Sequence, residues 1–126
     1  VHEKFANTQQ TISMAALFTA YHMEAKAIVA LTTSGATARW MSRVISGVPI
    51  YAITDSQEAL QSMAMYRGVY PFFMQHHATN SNEHANEACD FLRRQHILAE
   101  GDMIIATMGE RVSKIGSTNS LKIIKI

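Results

Sequence analysis

Residues 32 to 37, "TTSGAT", are the stretch best suited to hold a ligand. They follow the apolar run "AIVAL" and precede a helix-like segment. Thr32, Thr33, Ser34 and Thr37 offer hydroxyls. Gly35 lets a ligand approach the backbone, and Ala36 opens a helix whose first N–H groups have no partner within it. A phosphate needs this set of donors, with the helix dipole adding about 0.3–1 kcal/mol. The same hydroxyls can simply cap the helix. Taken alone, the turn does not choose between the two roles.

A second candidate set lies in "GERVSKIGSTNS", residues 109 to 120. Arg111 and Lys114 are cationic, Gly109 and Gly116 give flexibility, and Ser117, Thr118 and Asn119 are further donors, with Glu110 among them. The alternative is a solvated hairpin connection. If both loops meet in one crevice, a ligand with two phosphates, or a phosphate and a sugar, fits better than a single inorganic anion.

Other reactive residue types carry less. His76, His77 and His84 lack the ligand spacing of zinc sites, so no metal is expected. They read as a surface loop and a helix start, with His84 as a minor phosphate contact. Cys89 falls on an inward helix face and reads as an inert core residue. Asp55 and Glu58 are too local for an acid/base pair and read as helix-start residues. Arg39 and Trp40 suit packing or a subunit contact. No nucleophile, base and orienting group emerge together, so no catalytic residue is assigned.

These positions need a scaffold, and the periodicity supplies one. Residues 9 to 24 read as a helix capped by Asn7 or Thr8, apolar on nearly all sides through Met14, Leu17, Phe18 and Tyr21, which implies cover on more than one face. Strands are expected at 27–32, 48–54, 68–74, 103–108 and 121–126. Helices are expected at 37–46, ended by Gly47, at 56–66, capped by Asp55 or Ser56, and at 82–96. The short link before the last strand rules out a helical crossover, so that pairing should be antiparallel. The fold class is therefore α/β. It is a three-layer α/β/α sandwich around a five-stranded, mostly parallel sheet of order 3-2-1-4-5, with an antiparallel edge strand 5. In such sheets ligands settle where the order reverses, here between the loops after strands 1 and 4.

The 126 residues, 48% hydrophobic, fit a single domain. Eleven Lys plus Arg against ten Asp plus Glu supply no broad field for nucleic acid or an anionic membrane. No apolar run approaches the roughly 20 residues of a membrane span. One cysteine and no signal-peptide pattern give the expectation of a soluble, cytoplasmic protein. The start at Val1 and the strand-like end "SLKIIKI" give the expectation of a piece of something longer.

Over nearly its whole length the sequence resembles the C-terminal domain of pyruvate kinase. The carrying segments are "AIVALTTSGATARWMSRVISGVPIYAIT", "MYRGVYPFF", "LAEGDMIIATMG" and "GSTNSLKIIKI", in order and with matching gaps. The pattern is most similar to the bacterial enzymes activated by AMP or sugar monophosphates. The resemblance implies a regulatory domain without an active site of its own. Phosphoryl transfer from phosphoenolpyruvate to ADP, with Mg and K ions, belongs to the family's barrel and lid domains. It further implies that Thr32 to Thr37 grip an effector phosphate and that Gly109 to Thr118 close over the rest. Where fructose 1,6-bisphosphate users of the family commonly have an arginine, this chain has His84, which favours a monophosphate. The first helix would pack on the barrel, and Leu121 to Ile126 would pair across a two-fold axis in a homodimer, within a tetramer in the parent. The alternatives are a free-standing small enzyme or binding domain for a phosphorylated metabolite, and a purely structural oligomerisation module.

Overall fold

The computed structural model describes residues 8–109 and 118–126. Among these residues the chain forms helix α1 (Thr8–His22), strand β1 (Ala27–Leu31), α2 (Ala36–Ser42), β2 (Ile50–Thr54), α3 (Gln57–Met63), β3 (Val69–Phe73), α4 (Ser81–Arg94), β4 (Met103–Gly109) and β5 (Thr118–Lys125). The sheet order is β3-β2-β1-β4-β5. β1 pairs in parallel with β2 and with β4, β2 pairs in parallel with β3, and β4 and β5 are antiparallel. The expected architecture and strand order are those observed.

Each central strand is buried on both faces, and alternation divides its side chains between two cores. Ile28, Ala30, Ile50, Ala52 and Ile105 meet α1, α2 and α3 through Ala16, Leu17, Ala20, Ala38, Met41, Ala59 and Met63. Ala27, Val29, Leu31, Ile53, Ile104 and Ala106 meet α4 through Ala85, Ala88, Cys89 and Leu92. Alanines on both the strands and the helices let the layers approach closely. Ser13, fully buried in α1, donates its hydroxyl to Gln9 O at 2.6 Å and to Thr37 O at 3.3 Å, which ties α1 to the start of α2.

Several boundaries differ from the sequence reading. α2 stops at Ser42 rather than running to residue 46, and Ile45, which shares helical spacing with Ala38 and Met41, is 80% exposed. The N–H groups of Arg43 and Val44 donate three residues back, to Trp40 O and Met41 O, which tightens the last turn. The segment that follows holds β-branched Val44 and Ile45 between serines, poor material for extending a helix. α3 and α4 likewise end at Met63 and Arg94, short of residues 66 and 96. Ser56 is the α3 cap, its Oγ accepting from Ala59 N–H at 3.1 Å. On α1, Leu17 is buried as expected, whereas Phe18 and Tyr21 are 66% and 69% exposed.

The β4–β5 hairpin takes in both ends of the expected loop. Gly109 is the last residue of β4 and pairs with Thr118, the first of β5, beside an irregularity at Met108/Gly109. Gly109 and Thr118 are thus strand residues rather than loop residues, because ladder pairing satisfies their backbone groups better than solvent. Glu110, Arg111, Lys114, Gly116 and Ser117 lie outside the described residues.

Candidate functional site

The sheet order reverses between β1 and β4, and the "TTSGAT" turn stands at that point. Thr32 N–H donates to Ile53 O at 3.0 Å, prolonging the β1–β2 ladder by one residue. The chain then doubles back. Gly35 N–H donates to Thr32 Oγ1 at 2.9 Å, and Ala36 N–H donates to Ser34 Oγ at 3.2 Å. Gly35 caps α2 with φ of 86°, a left-handed conformation that costs glycine nothing and an L side chain energy. Met63 packs beneath it. A Cβ at position 35 would stand 3.0 Å from Met63 Cγ.

These bonds sort the six turn residues. Ser34 is exposed, and Thr33 and Ala36 are half-buried, so these three are open to solvent. Thr32 and Gly35 are buried, and Thr32 serves as an internal acceptor. Thr37 is fully buried, and its hydroxyl donates to Thr118 Oγ1 at 3.2 Å. That bond fastens the turn to the root of β5.

The first turn of α4 reaches the carboxyl end of β4. Asn80 caps the helix, its Oδ1 accepting from Glu83 N–H at 2.9 Å. Glu83 accepts in return from Asn80 Nδ2 at 3.0 Å and from Thr79 N–H at 3.4 Å. Ser81 donates its hydroxyl to Gly109 O, where β4 ends, and Lys122 of β5 donates to Asn82 Oδ1 at 3.1 Å. His84 follows in this turn. Burial, and then the neighbouring His76, hold its pKa below the ordinary histidine value, against the opposing pull of Glu87 and Asp55.

Sequence reading missed the grouping of His84 with His76 and Asp55. The two imidazole rings lie 4.6 Å apart, and His76 Nε2 is 3.6 Å from Asp55 Oδ2. A signal existed: Asp55 directly follows β2 and His76 closely follows β3, so parallel pairing puts both at the same end of the sheet. Among the described residues, no three or more His, Cys, Asp or Glu are placed to hold a metal ion. Cys89 is buried and its thiol is pushed up to about 11 by desolvation, and then by Asp90, which leaves it un-ionised at neutral pH. Asp55 and Glu58 flank the start of α3, as expected of helix-start residues. Arg43 lies over the Trp40 ring at 4.5 Å, and Arg39 is exposed. No helix among the described residues is long and apolar enough to cross a membrane.

This is a doubly wound α/β domain with a glycine-centred, hydroxyl-rich turn at its switch point, the place where open sheets of this class commonly take ligands. The family profile described as pyruvate kinase, alpha/beta domain, matches residues 10–124. The chain belongs to the pyruvate kinase family, of which it is the C-terminal α/β domain. It is similar to the pyruvate kinase of Buchnera aphidicola subsp. Acyrthosiphon pisum, 38% identical over 100% of this chain and 26% of that protein. Pyruvate kinase II of Salmonella typhimurium is 37% identical over 98% of this chain and 26% of its own length, and the Candida albicans pyruvate kinase is 32% identical over 94% and 24%. The chain thus spans about a quarter of the length of these relatives.

Proposed function

We propose that this domain is the regulatory part of a cytoplasmic pyruvate kinase, holding a phosphorylated effector at the Thr32–Thr37 turn and contributing to oligomerisation. The parent enzyme would transfer phosphate from phosphoenolpyruvate to ADP, with Mg and K ions, in domains outside this chain. The observation that carries the effector reading is the Gly35 turn at the reversal of strand order, with Thr33 and Ser34 facing outward. Its hydroxyls and N–H groups would bind the phosphate, and the segment between the paired Gly109 and Thr118, with Arg111 and Lys114, would close over the remainder.

A monophosphate, either a sugar phosphate or AMP, suits the first turn of α4 better than a bisphosphate. The α4 terminus is already occupied by Asn80 and by the Glu83 carboxylate, which would repel a second phosphate. His84 is packed on His76 and disfavours its charged form. Calorimetric titration with ribose 5-phosphate, glucose 6-phosphate, AMP and fructose 1,6-bisphosphate is the test. Saturable heat is expected with at least one monophosphate and weaker binding with the bisphosphate. No heat from any of the four at millimolar concentration would sink the effector reading.

The oligomer reading rests on β5. Among the described residues it lies at the end of the sheet, pairs only with β4, and exposes Ile123. An uncovered eight-residue edge offers free backbone groups to a second copy across a two-fold axis, through Leu121 to Ile126. Lys122 and Lys125 lie on this strand and would have to turn outward from the seam. Sedimentation equilibrium of the chain at high micromolar concentration is expected to give a dimer; a monomer there would count against pairing.

A further inference from the structure

The segment 74–80 crosses from β3 to α4 as a strap, and its fastenings are unusual for being built around titratable groups. Met74 N–H donates to Thr54 O at 2.9 Å, His77 N–H to Glu87 Oε2 at 3.2 Å, and Thr79 N–H to Glu83 Oε2 at 3.4 Å. Between these bonds, His76 turns inward to face both the His84 ring on α4 and the Asp55 carboxylate after β2. Two imidazoles 4.6 Å apart, centroid to centroid, pack well when at most one is charged. Charging both places like charges within contact distance in a half-buried site.

We propose that His76 and His84 act as a proton-operated clasp that holds the 74–80 strap against α4 at neutral pH and releases it when both rings are protonated. The groups facing the pair are Asp55 from the turn after β2 and Glu87 from α4. A proton on His76 meets the Asp55 carboxylate at 3.6 Å. A proton on His84 is opposed by burial and by a charged His76, and Asp55 and Glu87 offset only part of that. His84 therefore favours its neutral form in the folded state. Its contribution to stability is present above the ordinary histidine value of 6.5 and is lost as pH falls through the lowered folded value.

The consequence reaches beyond the strap. α4 leans on Gly109 O through Ser81 and on Lys122 through Asn82, so release of its first turn loosens its hold on the β4–β5 hairpin strands. Acidification would thus act at the carboxyl end of β4, where Ser81 holds Gly109, without any ligand. The clasp itself stands whether or not the crevice binds an effector, because its test uses none.

The experiment is a histidine NMR titration of the 126-residue chain combined with amide hydrogen exchange at His77 and Thr79. Both are run between pH 7.5 and 5, above the range in which ordinary carboxylates titrate. His84 is expected to titrate below the ordinary value. After correction for intrinsic exchange, the two amides are expected to lose roughly fivefold in protection across that range. Replacing either ring with an uncharged amide, His84→Gln or His76→Gln, is expected to abolish the pH dependence of that protection. Titration of His84 at or above the ordinary value, or the same pH-dependent loss in both variants, would overturn the clasp.

Discussion

Gly35→Val is expected to destabilise the domain by about 3 kcal/mol, the sum of backbone strain and overpacking. The backbone at this position has φ of 86°, where a β-branched side chain is a true outlier. Space is equally short. The Cβ would stand 3.0 Å from Met63 Cγ and 3.4 Å from Met63 Sδ, and Met63, the last residue of α3, is fully buried, so its side chain has to shift within a packed core to admit it. Gly35→Asn separates the two causes, because asparagine tolerates the left-handed region but keeps the Cβ contact, and an intermediate loss is expected. Urea denaturation of the three proteins measures the ladder of stabilities. A loss under about 1 kcal/mol for the valine variant would mean that the turn can rearrange at little cost. Under the effector reading, the same variant should also lose its calorimetric heat at temperatures where it remains folded.

The second large effect is expected at Leu92, where truncation to alanine should cost about 3–4 kcal/mol. Leu92 is fully buried and is the largest side chain of the inner row Ala85, Ala88, Cys89 and Leu92. Among the described residues α4 is the one helix on its face of the sheet, so no neighbouring helix can move in to fill the void. Its carbonyl also accepts from Ile97 N–H at 3.0 Å and Leu98 N–H at 3.3 Å, and the chain turns there towards β4. Leu92→Met keeps the volume and should cost less than about 1.5 kcal/mol. Denaturation curves for both variants check the difference; equal costs would contradict a cavity as the cause. Because α4 carries His84, loosening it should also move that histidine's titration back towards its ordinary value.

Much of the scaffold was legible because buried parallel strands must be short apolar runs and must alternate with helices. "AIVAL" and "MIIATM" could hardly be anything else, and right-handed crossovers with one tight final hairpin leave few sheet orders. Helix ends were less legible. Ile45 kept helical spacing in the sequence yet lies in solvent, because spacing records which residues could share a face and not where the chain must turn back to reach β2. The hairpin reached into Gly109 and Thr118 for a similar reason: pairing partners decide where a strand stops, and partners are distant in sequence.

The position of the switch-point turn was also determined by the sequence alone, since hydroxyls and a glycine between a buried strand and a helix can stand only at the strand's carboxyl end. Which hydroxyls face out was not. Thr33 and Thr37 look equivalent as letters, but packing sends Thr37 inward to Thr118 and leaves Thr33 half-buried. The histidine pair was only partly legible, since the strand ends put Asp55 near His76 but did not put His84 beside them. Asp55, His76 and His84 lie on three separate segments, and only parallel pairing of β2 with β3, with α4 laid across the sheet, brings them together. Local chemistry and periodicity are written along the chain; the direction of a side chain and the company it keeps are set by contacts between segments, which tertiary structure alone supplies.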